Sequence, residues 1–345
     1  MNKSEGRQKI NLEGIQILRM LLSLWIVFIH CCNIRNNILR ILLLDKELHV
    51  PIFLIISFYF FYDKLYFRSI NKFKLRIERL LIPYLVYPII NIILNHVFFL
   101  NIHCNFYLPY RKLTFFDLIK QLILGMGIHN IFWFQFFLIF LSVFFFIIAL
   151  LFKQKFLNIL ELIFIICYLL QYSGLVFKYF VTFKEKAFRC FGSIIEIITY
   201  AITGLSLASY NLMNKINLIK EKKKLIFASI IILYFIKKYD IIRSPRGFRY
   251  PGVSLNVGGI FLLICFSFIS LEKKPKVLFI IKHFTNYTGG IYYLHIIVMN
   301  IFRNIIPFIY KGTLLGGFSI YIISYFICFI GMRIFGKTKI KNLFY

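Results

Sequence analysis

Long apolar runs make up most of the sequence, and short basic segments separate them. A helix needs about 20 mostly apolar residues to cross about 30 Å of hydrocarbon. Ten runs come close to that requirement, and they cover residues 13–33, 50–67, 80–100, 131–152, 156–173, 189–210, 225–240, 253–271, 286–306 and 313–335. The pattern predicts an all-α, polytopic membrane protein with about ten transmembrane helices, in a single membrane-embedded domain over residues 1–345.

Two of these runs contain residues that disturb helices. Pro83 and Pro88 in the third run predict an irregular start or a kink, because proline lacks the backbone N–H that a helix interior needs. Gly289 and Gly290 in the ninth run permit either the close approach of another backbone or a break in the helix.

Composition agrees with a membrane location. The chain is 60% apolar and 19% aromatic, whereas soluble domains are closer to half apolar. A net charge of +29 would indicate a nucleic-acid partner in a soluble protein. Here the Lys and Arg residues lie mostly between the apolar runs, so we expect them to set topology and contact membrane lipids, with no nucleic acid.

The basic residues also predict an orientation. An even number of spans places both chain ends on one side of the membrane. With the N-terminus in the cytoplasm, 24 of the 42 Lys and Arg residues fall in inside segments and 17 fall outside. This bias predicts cytoplasmic N- and C-termini and a multi-pass protein of the cell (inner, cytoplasmic) membrane.

The seven cysteines are scattered and show no CxxC or Cys/His ligand spacing. We therefore predict neither a disulfide framework nor a metal site. The basic N-terminal head and apolar run look like a signal peptide. However, Arg19 interrupts the run and no small-residue cleavage site follows, so we expect a retained first helix.

Ionisable residues inside a span cost several kcal/mol and are usually functional or paired. At 100° per residue, Gln16, Arg19, Ser23 and His30 fall within about 60° of one another. Arg19 and His30 are separated by about 20° in angle and roughly 16 Å in height. They form one polar stripe, although an arginine reaching the interface and a histidine capping the helix end would give the same pattern.

A second polar stripe lies in the sixth run. Its members share one helix face and are Arg189, Glu196, Thr199, Thr203 and Ser206. Glu196 falls near mid-membrane, so we expect it to be neutral or paired with a cation such as Arg19. In the ninth run His295 follows the two glycines, where a packed, hydrogen-bonded histidine is the alternative to a site residue.

Several segments together resemble one protein family. The run NLEGIQILRMLLSLWIVFIH (11–30) is similar to the opening helix of the acyltransferase-3 family, with Arg, ten residues, then His. VPIFLIISFYFF (50–61) resembles the family's second helix, with Phe58 at a usual glycine. RIERLLIPYLVY (76–87), the Trp133-Phe134 pair and GIYYLH (290–295) resemble later motifs, and Tyr293-Leu294 is displaced by one position.

The resemblance implies an enzyme, an O-acyltransferase. Such proteins typically transfer an acyl group, most often acetyl and in related members succinyl, from cytoplasmic acyl-CoA to a hydroxyl. The acceptor is often an envelope glycan or a lipid-linked sugar. We therefore expect acyl-CoA (acetyl-CoA) as co-substrate, no bound cofactor, and a polysaccharide-modifying role in the cell envelope.

The resemblance also suggests roles for residues. We expect His30 to activate the acceptor hydroxyl or to carry the acyl group briefly, and Arg19 to bind or orient the donor. The predicted donor- and substrate-binding residues are Arg76, Arg79, Ser23, Trp133, Glu196 and His295. For Arg76 and Arg79 ordinary positive-inside charge is the alternative, and for Trp133 it is a place in the interfacial aromatic belt.

Other classes of membrane protein remain open at this point. A transporter or flippase for a lipid-linked polysaccharide would share the midplane polar groups but should show repeat symmetry, and none is evident. A glycan polymerase or ligase would usually carry a large polar outer loop. Residues 101–130 hold His103, Arg111, Lys112 and His129, so that class also remains open. A non-catalytic relative is a third possibility, which Arg19 and His30 disfavour.

Overall fold

The computed structural model describes residues 12–31, 49–98, 132–172, 185–210, 253–305 and 313–345. Within these ranges the chain is about 90% helical and contains no β-strand, which confirms the all-α class. The α-helices are α1 (Leu12–Cys31), α2 (His49–Tyr66), α3 (Ile70–Phe98), α4 (Phe132–Phe152), α5 (Phe156–Tyr172), α6 (Glu185–Ser209), α7 (Val253–Ser267), α8 (Pro275–Thr285), α9 (Thr288–Ile305) and α10 (Leu314–Phe335). Short 3₁₀ helices cover Lys153–Lys155 and Lys339–Leu343.

Three stretches are long and apolar enough to cross a membrane, namely Glu13–Cys31, Trp133–Leu170 and Leu314–Phe335. Shorter apolar helices cover Ile195–Ser209, Asn256–Ser267 and Thr288–Phe302. The total of ten spans stays a prediction, and the predicted span 225–240 and the loop 101–130 lie outside the described residues.

The outer face of α10 shows how these helices suit a lipid environment. Apart from Arg333 in the last turn, its exposed side chains are large and apolar, and those that recur at helical spacing are Leu315, Phe318, Ile322, Phe326, Ile330 and Ile334. Its buried side instead contains small and hydroxyl-bearing residues such as Gly317, Tyr321 and Ser324. A face of this kind would be costly in water and is favourable against hydrocarbon.

Two helices differ from the predicted spans. Helix α3 begins at Ile70, ten residues before the predicted span 80–100, and continues as one helix through Pro83 and Pro88. Its extra turns hold Lys, Arg, Glu and Leu, which are good helix formers outside the membrane as well. Helix α8 was not predicted at all, because its eleven residues are too short and too polar to resemble a span.

The described helices form two compact units. The first contains α1 up to Leu18, α2, α4 from Phe145, α5 to α7, and α8 up to Leu278. The second contains α1 from Arg19, α3, α4 up to Phe144, α8 from Phe279, α9, α10 and the second 3₁₀ helix. The single-domain assignment stays a prediction.

In the first unit, α2 packs against α6 and α7, and α5 packs against α6. A Cβ atom on Gly204 of α6 would lie 2.3 Å from the carbonyl oxygen of Ile55 in α2. The missing side chain therefore lets the two backbones approach closely, as small residues do between membrane helices.

A buried hydrogen-bond chain joins three helices of the first unit. Asn256 Nδ2 donates to the Tyr168 hydroxyl, which lies 3.1 Å from Thr203 Oγ1. Thr203 itself donates to the carbonyl oxygen of Thr199 at 2.7 Å. Because the Thr203 hydrogen is thus used, Tyr168 must donate to Thr203. The chain runs in one direction from α7 through α5 to α6.

In the second unit, α9 is the most buried helix, and α1, α3 and α10 supply its neighbours in the core. Arg19 and His30 of α1 lie against Thr288 and His295 of α9, in the same order along both helices. Helices α1 and α9 are therefore parallel.

Helices α1 and α10 run in opposite directions. Ser23 lies against Tyr321, while Phe28, later in α1, packs on Phe318, earlier in α10. The Arg19 end of α1 therefore lies at the same end of this unit as the last turn of α10.

The last seven residues, 339–345, form what we call the C-terminal strap. It packs on α3 and α10, and Tyr87 donates a hydrogen bond to the carbonyl oxygen of Leu343 at 2.7 Å. A Cβ on Gly289 would lie 2.3 Å from the carbonyl oxygen of Tyr345, and one on Gly290 would lie 2.9 Å from backbone atoms of Phe344. Helix α9 is unbroken, so the two glycines permit close approach, and the alternative of a helix break is wrong.

Replacing Gly204 with alanine should destabilise the first unit by about 1–3 kcal/mol, because the new methyl group has no room against α2. The thermal midpoint of the purified protein in detergent should fall. Ser209→Ala is the matched control, since the Ser209 hydroxyl bonds only within its own helix in the described structure, to Ser206 O. Equal midpoints for Gly204→Ala and wild type would show that α2 and α6 are not in close contact.

Candidate active site

Seven of the eight predicted site residues belong to the second unit. They are Arg19, Ser23, His30, Arg76, Arg79, Trp133 and His295, and only Glu196 lies in the first unit. These seven come from α1, α3, α4 and α9, so the second unit is where a catalytic centre can be sought.

Arg19 is half-buried and is held by the first residue of α9. Its Nη2 atom donates to Thr288 Oγ1 at 3.2 Å. Thr288 in turn donates to the carbonyl oxygen of Thr285 at 3.1 Å, so its position is fixed by its own chain. A guanidinium group has five N–H donors, and Thr288 orients it while occupying one. The remaining donors can address an electron-rich group.

Ser23 is buried between Arg19 and His30 and contacts α10. Its hydroxyl donates to the carbonyl oxygen of Met20 at 2.8 Å. Since that hydrogen is used, the Tyr321 hydroxyl, 3.2 Å away, must be the donor to Ser23. The middle of the α1 stripe is thus a helix-to-helix contact, and the binding role of Ser23 stays a prediction.

His30, in the last turn of α1, is exposed, whereas His295 is fully buried. The two ring centroids lie 5.4 Å apart with the planes inclined by 38°. His295 Nδ1 lies 3.1 Å from the carbonyl oxygen of Ile291, which can only accept a hydrogen bond, so Nδ1 carries the hydrogen. In the neutral ring the other nitrogen, Nε2, is then the basic one.

Arg76 and Arg79 lie one turn apart in α3 but have different surroundings. Arg76 is half-buried, and its Nε donates to Ser142 Oγ of α4 at 2.9 Å. Arg79 is exposed, and its guanidinium carbon lies 5.1 Å from the centre of the Tyr345 ring in the C-terminal strap. Glu78 between them lies 3.8 Å from Lys339 of the strap. Arg76 is thus anchored to α4 by a hydrogen bond, whereas Arg79 is an exposed residue beside an aromatic ring.

Trp133 is half-buried near the start of α4, with the rings of Phe134 and Phe137 6.1 and 6.2 Å away. The next polar residue, Gln135, donates to the carbonyl oxygen of Leu80 at 2.7 Å and ties α4 to α3. Trp133 therefore belongs to an aromatic cluster at this helix end, and its stacking on donor or sugar stays a prediction.

Glu196 is buried in α6, in the same unit as Tyr168 and Asn256. It lies one turn before Thr199, whose hydroxyl bonds to the carbonyl oxygen of Ile195. Its predicted pairing with Arg19 and its role in binding stay predictions, and the side chain of Arg189 lies outside the described residues.

A family model described as an acyltransferase domain matches residues 12–333, nearly the whole chain. The chain belongs to the acyltransferase-3 family. Comparisons with curated proteins and with solved structures found no significant match. Family membership, together with the apolar helices, makes this chain a membrane acyltransferase.

In this acyltransferase the most informative contacts are those that the sequence did not reveal. Thr288 and Tyr321 hold the α1 stripe from two other helices, and Tyr345 lies against Arg79. Thr288 directly precedes the two glycines, which are the only local signal that could have drawn attention to it. Tyr321 and Tyr345 are ordinary aromatic residues in their own segments.

Thr288→Val should lower acyl transfer by about 10- to 100-fold, because a hydrogen bond to a charged group contributes roughly 1.5–3 kcal/mol and Arg19 would lose its orientation. Thr288→Ser keeps the hydroxyl and should retain most activity. The measurement is the initial rate of the purified enzyme at saturating acceptor. Equal rates for the valine and serine variants would show that this contact does not support the reaction.

Proposed function

We propose that this acyltransferase moves an acyl group, most simply acetyl, from acyl-CoA to a hydroxyl of an envelope glycan or a lipid-linked sugar. The observation that carries the proposal is the pairing of α1 with α9. It gives Arg19 an orienting partner at one end and brings a second histidine to His30 at the other.

The reaction needs one group to accept a proton and later return it. In the proposed step, His30 takes the proton of the acceptor hydroxyl while the hydroxyl oxygen attacks the thioester carbon. The tetrahedral intermediate then collapses, the carbon–sulfur bond breaks, and the CoA sulfur leaves with the proton from His30. The products are an ester and free CoA. A transient acyl-His30 is the other form this step can take.

His295 is proposed as a positioning residue for His30. Its buried ring has a fixed orientation, because Nδ1–H points to its own helix backbone. The basic Nε2 and the neighbouring ring of His30 can then share a proton or hold an ordered water. A buried, oriented imidazole beside an exposed one resembles the general arrangement of a catalytic base and its orienting group.

Arg19 is proposed to bind the donor. Arg19 and His30 are separated by about 16 Å along α1. The arm of CoA between its phosphates and its thioester is a long flexible chain. A donor held through its anionic groups near Arg19, Arg76 and Arg79 can therefore extend along the helix toward His30. Oriented N–H donors next to the thioester or phosphates would stabilise the negative charge there.

We propose that the Arg19 end of α1 faces the cytoplasm. Arg333 lies in the last turn of α10, and Lys337, Lys339 and Lys341 follow that helix. This last turn lies at the Arg19 end of α1. An excess of Lys and Arg marks the cytoplasmic side, where acyl-CoA is found. His30 would then face the opposite side of the cytoplasmic membrane, where an envelope glycan or lipid-linked sugar is available.

His30→Ala should lower acyl transfer at least 100-fold, the lower part of what a general base contributes, with normal expression and stability. The measurement is mass spectrometry of envelope glycans from cells carrying the wild type or the variant, looking for one acetyl or succinyl per repeat. His283→Ala is the matched control, because His283 is a histidine of the same unit that packs among aromatic rings.

Full activity of His30→Ala would refute the catalytic assignment. A transport defect without any difference in acylation would instead favour a flippase, and loss of chain length would favour a polymerase. The acyltransferase-3 match already argues against both of these classes.

A further inference from the structure

The contact between Arg79 and Tyr345 takes no part in the proposed proton transfer at His30. The guanidinium carbon of Arg79 lies 5.1 Å from the centre of the Tyr345 ring. Tyr345 is 46% exposed and Arg79 is also exposed, so this pair lies at the surface of the second unit. A guanidinium is more weakly hydrated than an ammonium group and stacks readily on aromatic faces, so Tyr345 is a suitable neighbour for Arg79.

The position of Tyr345 is set by the residues before it. Leu343 is buried and accepts the hydrogen bond from Tyr87, and the ring of Phe344 stacks on Phe335 with centroids 6.0 Å apart. The carbonyl oxygen of Tyr345 occupies the space beside Gly289 that a side chain would fill. The strap is therefore packed in place along its length, and the Tyr345 ring has a defined position beside α3.

The place where the strap packs on α9 lies next to Arg19, the residue proposed to bind the donor. Gly289 follows Thr288, the residue that holds Arg19. The strap thus connects the start of α9 with Arg79 in α3. An anionic donor bound near Arg19 would have the Arg79–Tyr345 pair close by.

A guanidinium that lies over an aromatic ring keeps its N–H groups in its own plane, where they can bind a phosphate in bidentate fashion. The ring limits the rotation of a flexible side chain, so less entropy is lost when the phosphate binds. An arginine held in this way is a better phosphate ligand than the same arginine alone.

We propose that Tyr345 is a positioning residue that holds Arg79 in place for a phosphate group of the acyl-CoA donor. This inference rests on the proposed function and deepens it. It assigns Tyr345, through Arg79, to the nucleotide portion of the donor, separate from the thioester chemistry at His30.

The test compares two donors, acetyl-CoA and acetyl-pantetheine, which carries the same thioester without the nucleotide phosphates. With Tyr345→Ala the KM for acetyl-CoA should rise about twofold to fivefold, as the loss of an exposed cation–π contact predicts, with kcat unchanged. The KM for acetyl-pantetheine should not change. Tyr345→Phe should restore the wild-type KM, because the ring is retained.

Two further variants separate positioning from a structural effect. Arg79→Gln should raise the KM for acetyl-CoA alone, and combining it with Tyr345→Ala should add nothing, because both changes remove the same phosphate contact. Lys339→Gln is the matched control, since Lys339 lies in the strap but is 80% exposed and pairs with Glu78. It should leave both KM values unchanged.

The possible failures can be told apart. The inference would be overturned if Tyr345→Ala raised the KM for both donors equally, or if the KM increases of Arg79→Gln and Tyr345→Ala multiplied in the double variant. Either result would leave the proposed function standing. A wild-type enzyme with the same KM for acetyl-pantetheine as for acetyl-CoA would also overturn the inference and leave the proposed function standing. A wild-type enzyme that transfers acyl groups from neither donor would overturn both.

Discussion

The structure depends on one constraint, which is that polar side chains in an apolar helix must find partners on neighbouring helices. Helix α1 has an arginine, a serine and a histidine on one face, and each meets a partner. Arg19 bonds to Thr288, Ser23 to Tyr321, and His30 faces His295. These contacts fix α1 against α9 and α10, so the groups that stabilise the packing are also the groups that define the candidate active site.

The two units use different means of packing. In the first, the close approach at Gly204 and the one-way hydrogen-bond chain through Tyr168 join α2, α5, α6 and α7. In the second, α9 lies in a core of aliphatic and tyrosine side chains, where Tyr87 of α3 stacks on Tyr293 of α9 with ring centroids 5.0 Å apart. Most of the predicted site residues lie in the second unit. Gly289 and Gly290 of α9 leave room for the C-terminal strap to pack close to that helix.

Much of this could be predicted from the chain. Apolar runs indicated the helices, and a 100° repeat placed Arg19 and His30 on one face, because both follow from local geometry. The partners Thr288, Tyr321 and Tyr345 could not be predicted, since they come from distant segments and depend on tertiary packing. Helix α3 extended beyond its apolar part because helix propensity does not require a membrane. Glu196 shares the polar character of the site residues but lies in the other unit.

The central claim is that His30 and His295 act as one unit because α1 and α9 bring them together. A double-mutant cycle measures this most directly, with turnover compared for His30→Ala, His295→Ala and the double variant. If the residues share one step, the double variant should lose no more activity than the worse single variant. Losses that multiply would show that the two histidines act independently and would contradict the account.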